Sequence, residues 1–320
     1  MSLSSYILRR FLRNPREALR IKRAGDEIKE YIIWRLFNQL QSEDILRDLQ
    51  TQAWWNFKDG VLAKLVCDIL VDEGLAKRRG DFIEVTGSPS RPSITTKEAA
   101  DMVSVIDNAI EALPGALVAG EKPSREEVKA MSAKLLDNFA VRLEFEAAVE
   151  AFGLDSLSSD ATIVDVYPRV GASTLTLLEH TKARIIVVEP FSENLELVKR
   201  LVNLQGQQER VSYVLSTPEG AELGEKVDVV FMGEVIHWTL NPRLALSSCR
   251  KMLREDGFLA MAQTVYSSLG KIVSLAGYVL GAIQPPPTSD ELREMLASAA
   301  FRVDKWLESL GVALVRASPS

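Results

Sequence analysis

A chain of 320 residues has room for two domains, and 47% hydrophobic with 26% charged residues is an ordinary folding balance, which excludes a disordered or fibrous chain. A net charge of −6 excludes a general electrostatic pull toward nucleic acid or anionic membrane. The two cysteines, Cys67 and Cys249, lie far apart in apolar helical patterns, so they read as buried free thiols and exclude a disulfide framework.

The first stretch, MSLSSYILRRFLRNPREALRIKR, is basic but lacks the continuous apolar core of a signal peptide. The longest weakly polar run, Ile272 to Ile283, is too short to span a bilayer, so a cytoplasmic protein without a transmembrane segment is expected. Arg9, Arg10, Arg13, Arg16, Arg20, Lys22 and Arg23 read as a solvated helix face, with a membrane surface or an acidic partner as the alternative. Ile32, Ile33, Leu36, Phe37 and Leu40 then form a helical stripe. Leu62, Leu65, Val66, Ile69 and Leu70 line a second helix, which Gly74 ends. Residues 75–77 and 82–85 follow as a hairpin around a turn at Arg78-Arg79-Gly80-Asp81. Helix and two-stranded wing together give residues 1–94 a winged-helix pattern.

Residues 95–150 read as a wholly helical connector. Capping boxes are expected at Thr95–Glu98 and Ser124–Glu127, with a loop over Pro114 to Ser124 between them. From residue 151 the rhythm becomes strands alternating with helices. Strands are predicted at 161–166, 184–188, 211–215, 227–232, 257–263 and 311–316, and helices at 172–180, 192–204, 241–254 and 289–299. Asn241-Pro242 and the box Thr288–Glu291 signal the last two helix starts. The alternation predicts an α/β, Rossmann-like domain with a mostly parallel sheet covered on both faces.

The first strand-to-helix turn, Asp165-Val166-Tyr167-Pro168-Arg169-Val170-Gly171, is the most informative stretch. A nucleotide-binding turn at this place uses several glycines so that backbone approaches ligand closely, whereas here only Gly171 is glycine. Tyr167 puts a β-carbon and a ring where φ > 0 is often needed. Pro168 removes a donor and pushes Tyr167 toward extended backbone. Arg169 brings a long cation close to Asp165 and Glu189.

Six pieces in order, LVDEGLAKRRGDFIEVT, IVDVYPRVG, IIVVEP, VDVVFMGEVIHW, CRKMLREDGFLAMAQ and SDELREMLASAAFRV, resemble the class I S-adenosylmethionine-dependent methyltransferases that carry an N-terminal winged-helix domain. The resemblance spans nearly the whole chain. It implies a Rossmann-like methyltransferase domain at 151–320 behind a mainly helical N-terminal domain that dimerises. It also implies S-adenosylmethionine as cofactor and a small-molecule acceptor. Carried over residue by residue, it puts Asp165, Tyr167, Arg169 and Gly171 in the first cofactor turn and Glu189 at the ribose hydroxyls. Thr217 or Ser216 stands nearest the adenine, where an acid is usual and Glu219 is the other candidate. His237 falls where such enzymes place a catalytic base, with Trp238 as an acceptor wall and Glu234 as an alternative base.

Two other readings stay open on the residues. Arg169 can pair with a carboxylate and fill the pocket, which would make the chain a non-catalytic homologue acting as a dimeric scaffold or binding module. A winged-helix nucleic-acid binder is the third, supported by Lys77, Arg78 and Arg79 in the wing. Asp68, Asp72 and Glu73 on the helix before the wing oppose it by repelling phosphates.

Overall fold

The computed structural model describes residues 15–121, 137–279, 282–309 and 311–320. The chain forms two compact units, and it leaves one and returns to it. One unit holds the N-terminal part together with 267–285, and the other holds the described residues of 137–266 and 286–320.

In the N-terminal unit, α1 (Pro15–Ser42) and α2 (Ile45–Thr51) precede α3 (Gly60–Asp72), β1 (Ala76–Arg79) and β2 (Phe82–Val85). Asp59 caps α3 by accepting the Leu62 N–H, and Leu62, Leu65, Val66, Cys67, Ile69 and Leu70 are buried along it. Gly74 is left-handed past its end (φ 71°), as the sequence predicts. The hairpin differs from expectation: Arg79 pairs with Phe82, so the turn is Gly80-Asp81 and both arginines belong to the strand. Gly80 at φ 63° permits that tight turn.

Next come α4 (Lys97–Glu111) and α5 (Leu113–Ala119). The helix α5 overturns the expected loop at 114–124. Leu113, Ala116 and Leu117 bury there, and Gly120 stops the helix at φ 71°. The first capping box is also different. Thr96 caps α4 alone, accepting the Ala99 N–H, and the carboxylate that serves this start comes from far away in sequence. Glu27 on α1 accepts hydrogen bonds from the N–H and hydroxyl groups of both Thr95 and Thr96. Burial pushes Glu27 up, but these donors outweigh it and bring its pKa down to about 2. The other predicted box, Ser124–Glu127, lies outside the described residues. Lys97–Ala119 is long and apolar enough to cross a membrane by length and composition, yet 44% of its window is buried in the protein. Within it, Asp107 accepts hydrogen bonds from Tyr31 and Arg35, the pattern of a core helix.

The second unit begins with α6 (Phe139–Phe152), capped by Asn138 and ended by left-handed Gly153. Then follow β3 (Thr162–Val166), α7 (Ala172–His180), β4 (Arg184–Glu189), α8 (Ser192–Leu204), β5 (Val211–Leu215), β6 (Val227–Gly233), α9 (Pro242–Met252) and β7 (Leu253–Thr264). After α10 (Ser268–Val279), which belongs to the N-terminal unit, come α11 (Ser289–Ser298), β8 (Phe301–Ser309) and β9 (Val312–Pro319). Helices α7 and α8 match prediction residue for residue, and the cap at Asn241 and the box at Thr288–Glu291 are both present. Strand β8 and helix α10 are additions to the predicted set.

The seven strands run in the order β5-β4-β3-β6-β7-β9-β8. Strands β3 to β7 are parallel, and β9 joins antiparallel to β7 and β8. Every residue of β3 is buried, as a parallel strand covered on both faces requires. One core layer packs Phe145, Phe152, Leu177, Val198 and Phe231, and the other packs Met232, Leu246, Cys249, Leu296 and Val315. Strand order reverses between β3 and its neighbours β4 and β6, so the ligand crevice of this architecture opens beyond their carboxyl ends.

Candidate functional site

The turn after β3 keeps the shape of a glycine turn with other residues in it. Tyr167, Arg169 and Gly171 have φ of 58°, 55° and 89°. The expected push of Pro168 on Tyr167 is therefore overridden. The Tyr167 N–H donates to the Val188 carbonyl at 2.7 Å, and its side chain joins the core layer under the turn. Gly171 closes the turn onto the Pro168 carbonyl. A β-carbon there would meet Val198 and Leu201 of α8 at 3.4 Å, an ordinary contact, so the glycine is required by its φ and not by space.

Asp165 is fully buried and accepts from Ser173 Oγ at 2.9 Å and Thr174 Oγ1 at 2.6 Å, which ties the end of β3 to α7. Burial raises its pKa to about 6, against those hydroxyls and the nearby Arg169 charge. Glu189, ending β4, is also fully buried. It accepts from the Phe191 N–H, Asn194 Nδ2 and the Arg169 N–H at 3.0–3.2 Å. Burial raises it to about 7 despite these donors. The side-chain pairing of Arg169 with a carboxylate, one of the readings left open by the sequence, is not formed with Asp165 or Glu189; the arginine's main-chain N–H donates to Glu189 instead.

The guanidinium of Arg169 goes elsewhere. It lies 4.7 Å over the Trp238 ring and 5.9 Å from the Tyr167 ring. Arg169 is only 6% exposed, and its Nε and Nη1 have no hydrogen-bond partner. Burial lowers its pKa, and Tyr167, Glu234, Glu189 and Glu144 counter that.

Beyond β6, Glu234 is a third left-handed non-glycine residue at φ 57°. Its Oε1 accepts from the Thr264 N–H and Oγ1. A hydrogen bond joins it to Glu144 of α6, and burial raises both carboxyls. His237 sits next, with Nδ1 2.9 Å from Gln263 Nε2 and Nε2 3.7 Å from Glu234 Oε2. Burial and the Arg169 charge drive its pKa down to about 3. Its ring tilts against Trp238 at 5.5 Å. So Asp165, Tyr167, Arg169, Glu189, Glu234, His237 and Trp238 come together at the carboxyl ends of β3, β4 and β6. Thr217 does not join them: it is exposed after β5, and its Oγ1 accepts the Gly220 N–H of its own turn. Glu219 accepts the Asn241 N–H.

Sequence reasoning missed Glu144 and Gln263. Gln263 had a signal, as a lone polar residue at the end of the apolar strand Phe258-Leu259-Ala260-Met261-Ala262. Glu144 had none, because an acid on an amphipathic helix is ordinary.

Both wing arginines and three of the N-terminal cations are internally paired. Arg78 donates to Asp68 and Arg79 to Glu84. Arg20, Lys22 and Arg23 pair with Glu98, Asp26 and Glu27, while Arg9, Arg10 and Arg13 lie outside the described residues.

Residues 165–261 match a family described as a methyltransferase domain. Among solved structures, the DszA carbon methyltransferase is 16% identical, with 95% of this chain and 92% of that one covered at a TM-score of 0.69. The CurJ carbon methyltransferase is 15% identical, covering 99% and 98% at 0.67. An O-methyltransferase family 2 protein from Planctomyces limnophilus, solved with apigenin, is 14% identical, covering 94% and 95% at 0.58. No curated protein matches the sequence. With the sheet order and the crevice described above, residues 165–261 match a methyltransferase-domain family, and the chain shares its fold with the solved methyltransferases.

Proposed function

We propose that the chain is an S-adenosylmethionine-dependent methyltransferase acting on a small-molecule acceptor, with its cofactor in the crevice beyond β3, β4 and β6. One observation carries this reading. Of the five left-handed non-glycine residues among the described ones, Tyr167, Arg169 and Glu234 all line this crevice. Each costs about 1–2 kcal/mol relative to right-handed backbone, and strain of this kind persists where function requires the shape. Unpaired polar atoms gather in the same place: Arg169 Nε and Nη1, Trp238 Nε1 and Glu144 Oε1 are four of the six buried side-chain atoms without partners among the described residues. Such atoms are costly unless a ligand satisfies them.

The residues fit the cofactor in two respects. The orphaned guanidinium of Arg169 suits the carboxylate of the methionine part, and Glu189, at the end of β4, suits the ribose hydroxyls. Bound there, the cofactor would supply an electrophilic methyl group. The chain's own part is positioning, with Trp238 as an apolar wall and His237 at the acceptor side.

A second reading rests on a specific observation. Glu189 is fully buried and satisfied from within the protein, which favours a non-catalytic homologue whose crevice Arg169 fills. Calorimetry with S-adenosylmethionine and S-adenosylhomocysteine separates the two. Micromolar binding to native protein supports the enzyme. Binding only after Arg169→Gly supports the filled crevice, and binding by neither protein sinks the cofactor site. A homodimer through the N-terminal unit belongs to the same proposal, supported by exposed Trp55, Val61 and Val118. Sedimentation of the purified chain as a monomer at micromolar concentration would overturn it.

A further inference from the structure

Gln263 has no freedom in how it presents its amide. Its Oε1 accepts the Ile236 N–H at 3.0 Å, and its Nε2 donates to the Thr264 carbonyl at 3.1 Å. A backbone N–H can only donate and a carbonyl can only accept, so both ends of the amide are fixed by partners of unambiguous role. The atom 2.9 Å from His237 Nδ1 is therefore the amide nitrogen, and its second hydrogen points at that ring nitrogen. Nδ1 must be the acceptor, and the ring proton must sit on Nε2.

We infer that Gln263 is a positioning residue that holds His237 as the Nε2–H tautomer, so that His237 offers the crevice a hydrogen-bond donor in place of a base. The inference rests on the methyltransferase reading for its use, though the tautomer itself does not. Glu234 Oε2 at 3.7 Å is beyond hydrogen-bond length and leaves that N–H for an acceptor oxygen. The substrate class that suits it carries a carbonyl or already ionised oxygen beside the atom to be methylated. A neutral hydroxyl that needs its proton removed does not suit it, because Nε2 has no lone pair to offer.

The alternative tautomer would set an Nδ1–H against the Gln263 N–H. Turning the amide over to relieve that would break the bonds to Ile236 and Thr264 and orphan both in the core, where Gln263 is fully buried. Burial and the neighbouring Arg169 charge oppose the imidazolium as well.

Imidazole nitrogen NMR on the full chain, with no ligand added, tests this directly. The chain has two histidines, so His180→Gln identifies the His237 signals. Native protein is expected to show a protonated Nε2 and an unprotonated Nδ1, unchanged from pH 8 to pH 5. In Gln263→Glu the carboxylate accepts from the ring, and the pattern should reverse. Should circular dichroism show that variant unfolded, Gln263→Met takes its place, with the two nitrogens moving toward a tautomer average. A protonated Nδ1 in native protein, or an unchanged pattern in the folded variant, overturns the inference. Because the readout needs no cofactor, it can fail while the methyltransferase reading stands, and the reverse.

Discussion

Arg169 combines two penalties at one position, a left-handed backbone and a buried cation with unpaired nitrogens. They can be separated by substitution. Arg169→Ala removes the cation but keeps the β-carbon, whereas Arg169→Gly removes both, so the glycine variant should be the more stable by about 1 kcal/mol in denaturant unfolding. Equal stability would mean that position 169 is not left-handed in solution. His237 supplies a pH-dependent counterpart. Its folded pKa of about 3 lies below the ordinary histidine value of 6.5, so its contribution is full above pH 6.5 and is lost as pH falls toward 3. The stability of native protein minus that of His237→Asn should therefore rise by about 1.4 kcal/mol per pH unit between pH 4 and pH 6. A flat difference would place His237 in contact with water. The sequence announced the substituted turn and the need for positive φ at Tyr167, because glycine positions in a tight turn carry that information locally. It could not announce that the Arg169 backbone would cap Glu189 while its side chain stacked on Trp238. That choice depends on residues more than 60 positions away.

Elements were more legible than contacts. Helices α7 and α8 were readable because apolar spacing and strand boundaries agreed on both sides of them. Helix α5 was hidden by Pro114 and Gly115, which look like a loop, although Pro at the start of a helix is well tolerated. Strand β8 was hidden because its edge position leaves Arg302, Asp304 and Glu308 among its apolar residues. The packing of α6 on the sheet was not readable at all, and it makes a sharp prediction. A β-carbon on Gly233, the last residue of β6, would stand 2.7 Å from the ring of Phe145 on α6, which itself packs edge-on against Phe231 at 5.7 Å. Gly233→Ala should cost about 1–3 kcal/mol through overpacking. Adding Phe145→Leu should recover part of that loss, giving a non-zero coupling in a double-mutant cycle. Simple additivity of the two would show that helix and strand do not meet there.

At the scale of the molecule, the feature with most consequence is that α10 leaves the sequence of the methyltransferase-domain unit to build the N-terminal one. The sequence suggested a boundary near residue 150 and gave no sign of this return, since a short apolar helix carries no mark of the surface it covers. Within the N-terminal unit α10 packs on α1, α3 and α4, and Lys271 on it pairs with Asp72 at 2.8 Å. Ile272 and Leu275 are 2% exposed. Truncating a buried leucine costs about 2–5 kcal/mol through lost burial and the cavity left behind, and that loss falls on the unit that contains the cavity. Leu275→Ala should therefore speed amide hydrogen exchange in α3, along Leu65, Val66 and Ile69, while β3 and β4 keep their protection. The opposite distribution, with loss in the sheet and none in α3, would show that α10 belongs to the domain its sequence position suggests.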